Sequence, residues 1–238
     1  MKARALAFFS LLLLGSGTGL AAAPAADPYQ ALREQMVSQQ LRDRDITDPR
    51  VLSAMARVPR HLFVPENLAG LAYRDHPLPI GSDQTISQPY IVALMSEWAE
   101  IKAGDKVLEV GTGSGYQAAI LAELTDRVWS IELLPELAEK AAKKLQALGY
   151  QQVRTKAGDG YLGWPEAAPF DAILVTAAAK GVPPALEAQL REGGRLVIPV
   201  GPAGGLQTLF RYRKVQGKLR EELKVPVRFV PLVEPGKR

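Results

Sequence analysis

Three acids follow three apolar runs around one glycine-rich turn. Glu109 precedes Gly111-Thr112-Gly113-Ser114-Gly115, Glu132 closes the run from Arg127, and Asp159 stands between Gly158 and Gly160 after the run Val153 to Ala157. Glycine allows backbone dihedrals that other residues avoid and lets a ligand lie against the main chain. At the carboxyl end of a strand in a parallel sheet, such a turn is where nucleotide-like ligands bind. The dinucleotide fingerprint G-x-G-x-x-G wants its third glycine where this chain has Tyr116, which moves the turn away from NAD. Glu109 would repel a pyrophosphate but attract an ammonium or sulfonium group. Glu132 lies about twenty residues past the first glycine, the usual place for an acid that binds ribose hydroxyls. Asp159 can accept from an exocyclic adenine amine. Singly these are a surface acid, a strand end and a simple turn. In this order, with Gly111, Gly113, Gly115 and Gly160, they describe a pocket for S-adenosylmethionine.

The elements that must hold this pocket alternate. The chain predicts strands over Lys106 to Val110, Arg127 to Glu132, Val153 to Ala157, Phe170 to Thr176 and Arg195 to Val200. Helices come between them: after Gly115 to about Leu124, from Pro135 until Gly149 closes it, and from about Pro184 to Leu190, ending at Gly193-Gly194. Alternation of this kind gives right-handed crossovers and a mostly parallel, doubly wound α/β sheet covered on both faces. Gln207 to Lys214 and Leu219 to Val230 flank a Gln216-Gly217 turn and read as an antiparallel pair, bringing the sheet to seven strands. Ahead of the sheet, the spacing of Leu32, Met36, Val37, Gln40 and Leu41 predicts a helix from Tyr29 to Leu41. Asp48 as N-cap and Pro49 at the first helical position predict a second helix, stopped by Pro59. Arg60 to Asp83, rich in proline, glycine and aromatics, reads as an ordered loop. Ile91, Leu94, Met95 and Trp98 fall on one face of a helix that begins just after Ser87, with Met95 and Trp98 as core. The expected divisions are 1–25, 26–103 for the helical and acceptor-loop region, and 104–238 for the S-adenosylmethionine-binding domain.

Composition narrows the chemistry. At 238 residues and 47% hydrophobic content the chain can bury a full core, and its net charge of +4 comes from scattered basic residues, which does not call for a nucleic-acid partner. With no cysteine, thiolate nucleophiles, disulfides and the usual structural zinc sites are excluded, and with only His61 and His76 a histidine-rich centre, or any metal, is not expected. Lys2 and Arg4, an apolar run from Ala5 to Leu14 and small residues up to Ala23 or Ala25 read as an export signal, too short for a membrane span. A periplasmic or exported protein with no membrane span in the mature chain is therefore expected. Two observations pull towards the cytoplasm: Met36 could open a shorter protein, and S-adenosylmethionine is made there.

Several segments together resemble the protein-L-isoaspartate O-methyltransferases. They are Val58-Pro59-Arg60-His61-Leu62-Phe63-Val64-Pro65, Leu78-Pro79-Ile80-Gly81, Gln84-Thr85-Ile86-Ser87-Gln88-Pro89-Tyr90, Glu109 to Gln117, Gly158-Asp159-Gly160, Pro169 to Ile173, and Val227-Arg228-Phe229-Val230-Pro231-Leu232. The glycine motif is shared by many methyltransferases, whereas Thr85-Ile86-Ser87-Gln88-Pro89 is far more particular to this family. The resemblance implies a class I, Rossmann-like S-adenosylmethionine-dependent fold with the last two strands exchanged relative to most related enzymes. It implies methyl transfer to the free α-carboxylate of L-isoaspartyl residues in damaged proteins, whose ester collapses to a succinimide and reopens partly as aspartate. Ser87 then falls on the active-site serine, with Thr85 and Ile86 on the acceptor side, and Glu109, Glu132 and Asp159 on the cofactor acids. Where the family has Gly-x-Gly before this motif, the chain has Gly81-Ser82-Asp83, a negative charge unhelpful beside a carboxylate unless it points away. A carboxylate is already ionised at neutral pH and needs no general base, which suits a site poor in histidine. Ser87, where the next helix opens, fits either an anion site or the N-cap of that helix. Methylation of a small-molecule carboxylate and a non-catalytic exported binding protein are the competing readings, and a monomer is expected.

Overall fold

The computed structural model describes residues 27–233, so the export-like segment Met1 to Ala25 lies outside the described residues. Seven strands form the main sheet: β3 (Lys106–Val110), β4 (Arg127–Glu132), β5 (Val153–Ala157), β6 (Phe170–Val175), β7 (Leu190–Val200), β8 (Gln207–Val215) and β9 (Lys218–Val227). Their spatial order is β5-β4-β3-β6-β7-β8-β9. The first five are parallel, and β8 and β9 are each antiparallel to the strand before them. The last two strands therefore sit in chain order at the edge, the arrangement the family resemblance implies. A small hairpin of β1 (Leu78–Gly81) and β2 (Gln84–Ile86) stands apart.

Strand alternation splits the core in two. Along β6, Ala172 and Leu174 join one cluster and Ile173 and Val175 the other; along β3, Val107 joins the first and Leu108 and Val110 the second. The first cluster takes its cover from α2 (Pro49–Arg57), α3 (Pro89–Trp98), α4 (Tyr116–Ala122) and α5 (Pro135–Ala147); the second takes it from α6 (Pro184–Gln189) and the segment around Trp164 to Ala168. Both faces of the sheet are covered, as a mainly parallel sheet requires. Met95 is buried, and Trp98 packs on the same core. The helical lobe is bolted to the sheet by polar contacts: Arg50 donates to the carbonyls of Ile101 and Leu124, both at 2.6 Å. Asp48 caps α2 by accepting from the Arg50 amide at 2.8 Å.

Three local expectations are corrected. The first helix is α1 (Gln30–Gln35) and then widens into a π-helix, Met36–Arg42. Met36, Val37 and Leu41 are all buried there, and the wider turn brings residues five apart onto one face. Arg60 to Asp83 is not plain loop. It holds 3₁₀ turns at Arg60–Phe63 and Glu66–Leu71, each preceded by a proline, and the strand β1. Such turns are too short to show a period. Finally, α6 ends at Gln189, and β7 begins at Leu190 instead of Arg195, because Leu190 already pairs with Phe170 ahead of an irregularity in the register.

Candidate active site

The strand order reverses around β3, which has β4 on one side and β6 on the other, and the glycine turn leaves its carboxyl end. Two clamps fix that turn. Gly111 and Thr112 both donate their amides to the Ile131 carbonyl, at 2.7 and 3.2 Å, and Thr176 Oγ1 donates to the Gly111 carbonyl at 2.6 Å. Gly111 has φ 101°, and a Cβ there would lie 2.4 Å from Thr176 Oγ1, so both conformation and space demand glycine. Across the opening, a Cβ on Gly160 would lie 2.4 Å from Val110 Cγ1. The backbone is thus kept bare on two walls of a cleft lined by Val110, Gly111, Gly113, Glu132, Leu134, Gly160 and Thr176, among others.

Glu132 is in this cleft and 7% exposed. Its Oε2 accepts from the Gly113 amide at 2.8 Å and its Oε1 from the Leu134 amide at 3.1 Å. These bonds hold the carboxylate rigid and leave each oxygen with a further lone pair for a ligand hydroxyl. Gly113 lines the cleft, whereas Gly115 opens α4 at φ 88° and a Cβ there would face Leu145 and Ala141. Asp159 is beside the cleft-lining Gly160 and accepts from the Tyr161 amide at 2.9 Å, but its side chain is not part of the lining.

Glu109 is placed differently from the expectation of a cleft-facing acid. Val110 lines the cleft, and alternation along β3 sends Glu109 to the other side, where it is fully buried under the turn. Ser130 Oγ donates to its Oε2, Ser130 in turn meets Thr112 Oγ1 at 2.6 Å, and Oε1 has no hydrogen-bond partner among the described residues. Burial pushes this carboxyl up to about 8; the Ser130 bond opposes the rise and the neighbouring Glu132 charge adds to it. At neutral pH it is mainly the uncharged acid.

Ser87 lies just after β2 and reaches a second cavity of about 340 Å³ that shares Thr85, Ser87, Thr176, Val230 and Pro231 with the cleft. Ile86 lines the cleft alone. The N-cap of α3 is Gln88, so Ser87 does not have the capping role that its position suggested. Asp83 is exposed at φ 54° and lines neither cavity, so it keeps a glycine-like turn while its side chain is in neither lining. Three functional positions were not foreseen. Thr176, the polar residue ending the apolar run of β6, carries a signal that could have been read. Arg228 is the one charged side chain lining the second cavity, and Arg60 holds the Ser87 carbonyl at 2.8 Å. Among the described residues no group of three or more histidine, aspartate or glutamate side chains could hold a metal.

The Glu109 carboxyl gives a pH signature. Its folded value of about 8 is above the ordinary 4.5, so between those values the folded chain keeps a proton that the unfolded chain releases. Its contribution makes stability fall as pH rises through that window, and stay level on either side. Glu109→Gln preserves the shape and an acceptor for Ser130. Urea unfolding below and above the window is expected to show a smaller loss of stability with rising pH in the variant than in the parent; equal losses would contradict the buried acid.

Comparison with known proteins agrees with this geometry. A sequence model described as protein-L-isoaspartate(D-aspartate) O-methyltransferase matches residues 31–237. The protein-L-isoaspartate O-methyltransferase of Opitutus terrae is 58% identical over 231 residues, 97% of each chain. That of Gloeobacter violaceus is 55% identical over 197 residues, 83% of this chain and 96% of its own. A solved protein-L-isoaspartate O-methyltransferase matches with a TM-score of 0.76 at 31% identity, over 85% of this chain and 66% of that one. A Plasmodium falciparum structure, described as a protein-L-isoaspartate O-methyltransferase in complex with S-adenosyl-L-homocysteine, gives 0.73 at 26% identity, over 84% and 98%. The architecture is the Rossmann-like one of the class I S-adenosylmethionine-dependent methyltransferases, and the chain belongs to the protein-L-isoaspartate(D-aspartate) O-methyltransferase family.

Proposed function

We propose that this protein transfers the methyl group of S-adenosylmethionine to the α-carboxylate of L-isoaspartyl residues in damaged proteins and so starts their repair through a succinimide. The observation that carries the reading is the meeting of two cavities at Ser87. Among the described residues, the cleft's one carboxylic acid is Glu132, suited to a ligand with hydroxyls and positive charge, while the second cavity's one charged residue is Arg228, suited to an anionic acceptor. The cradle at Gly111 and Gly160, which a Cβ would fill, fits a nucleoside lying against bare backbone.

Each residue has a defined task. When bound, S-adenosylmethionine supplies an electrophilic methyl group on its sulfonium. Glu132 holds the ribose hydroxyls, the Gly111 to Gly115 turn receives the amino-acid portion, and Asp159 takes the adenine amine beside Gly160. Glu109 supports the turn from beneath through Ser130 and Thr112. Ser87, whose hydroxyl has no hydrogen-bond partner among the described residues, donates to the acceptor carboxylate, with Thr85 and Ile86 beside it. No residue has to remove a proton, because the acceptor is ionised at neutral pH. Positioning of its oxygen in line with the methyl supplies the acceleration. Residues 26–103 carry the acceptor side and 104–238 the cofactor side.

The Met1 to Ala25 segment directs export in this reading, and the stretch is not private to this chain, since the Opitutus terrae match covers too much of it to leave out 25 residues. Among the described residues no helix is long and apolar enough to cross a membrane. Fractionation with sequencing of the mature amino terminus is expected to find a chain starting near residue 26 outside the cytoplasm; a cytoplasmic chain starting at Met1 or Met36 would place the enzyme with its cofactor supply instead.

Tritiated methyl transfer to paired isoaspartyl and aspartyl peptides tests the activity. Methylation of the isoaspartyl peptide alone is expected. Transfer only to small carboxylates, or binding without transfer, would replace this reading. Glu132→Ala is expected to weaken cofactor binding by roughly ten-fold or more in calorimetry, from the loss of hydrogen bonds to a charged acceptor. Ser87→Ala is expected to lower kcat by about ten-fold with cofactor affinity kept. Equal loss of both in Ser87→Ala would remove its acceptor role.

A further inference from the structure

Arg60 is completely buried, yet among the described residues it forms no ion pair. It opens the first 3₁₀ turn after Pro59. Its Nε donates to the Ala72 carbonyl at 2.7 Å, its Nη2 donates to the Ser87 carbonyl at 2.8 Å, and its Nη1 has no hydrogen-bond partner among the described residues. The guanidinium lies 4.8 Å over the ring of Tyr116, the first residue of α4. Burial lowers its pKa to about 10, which leaves it charged at neutral pH.

A buried cation carries a desolvation cost that an apolar side chain of similar volume would avoid, and the Asp75 charge acts on Arg60 without a direct ion pair. What the apolar side chain cannot do is hold the Ser87 carbonyl. Ser87 falls between the end of β2 at Ile86 and the start of α3 at Pro89, outside both ladders. Proline at 89 also removes one donor from the neighbourhood. Asp75 holds the Gln88 side chain and the Tyr90 amide that follow, and Arg60 reaches the Ser87 carbonyl itself and, through the planar face of the same group, the helix that follows the glycine turn. It also ties both to Ala72. One side chain thus spans the acceptor wall and the cofactor wall.

We propose that Arg60 is a positioning residue: it sets the Ser87 hydroxyl at the junction of the two cavities by fixing the Ser87 carbonyl against Tyr116, and so aligns the acceptor with the methyl donor. It touches neither ligand. The proposal rests on the methyl-transfer reading and on the role of Ser87 within it.

Two variants and a double-mutant cycle test it. Arg60→Met keeps volume without donors, and Arg60→Lys keeps charge without the planar fork. Arg60→Met is expected to stay folded with a lowered thermal midpoint, from the two carbonyls left without their donor, while kcat on an isoaspartyl peptide falls about ten-fold. Arg60→Lys is expected to recover part of that loss, and calorimetry with S-adenosylhomocysteine is expected to change less than about two-fold in both. In a Ser87→Ala background, where no hydroxyl remains to be placed, Arg60→Met is expected to cost less than about two-fold in kcat. Four results would overturn the proposal: unchanged kcat, a fall in kcat matched by cofactor affinity, the same cost with and without the Ser87 hydroxyl, or failure of both variants to fold, since Arg60 would then be serving the fold alone. Wild-type turnover in Ser87→Ala would instead remove the reading of Ser87 itself. A slow Ser87→Ala beside fully active Arg60 variants would remove only this proposal.

Discussion

The structure depends on how one backbone turn is held at the end of β3. A chain leaving a strand through three positive-φ glycines has no ladder of its own, and an unpaired buried amide or carbonyl there would be costly. Two neighbours supply the partners. Ile131, on β4, accepts from the Gly111 and Thr112 amides, and Thr176, past the end of β6, donates to the Gly111 carbonyl. The parallel register on both sides of β3 brings these groups to one level, so the turn exists in this shape only because the sheet is complete around it.

From that turn the rest follows by contact. The Gly113 amide fixes Glu132, the acid suited to a ribose, and Thr176 lines both the cofactor cleft and the second cavity. The two cavities carry opposite charge, one acid against one arginine, which matches a cationic donor and an anionic acceptor. Beneath the turn, Glu109 is kept as an acid by burial, so the charge it was expected to show to the ligand is largely absent at neutral pH. Its place in the chain, one residue before the turn, is thus better explained as internal support linked to Ser130 and Thr112.

Much of this was legible because strand signals are strong where apolar runs end in glycine, proline or an acid. The bounds Lys106–Val110, Arg127–Glu132 and Val153–Ala157 are those the residues predict. The π-helix at Met36–Arg42 and the 3₁₀ turns after Arg60 were not, since a single turn leaves no period to read. Glu109 was expected beside the ligand and lies buried behind the turn, a placement that alternation decides only once it is known which neighbour faces the cleft. Arg60 stood in a quoted motif with no role, because nothing in a linear sequence tells that a basic residue 27 positions away will reach the Ser87 carbonyl through the core.

The central claim is that donor and acceptor meet at Ser87, one from each cavity. Its most direct test is a structure of the protein with S-adenosylhomocysteine and an isoaspartyl peptide bound together. The claim predicts ribose hydroxyls on Glu132, the peptide carboxylate within hydrogen-bonding distance of Ser87 Oγ, and the peptide leaving through the cavity beside Arg228. A carboxylate seated away from Ser87, or a nucleoside that leaves Glu132 without contact, would contradict it.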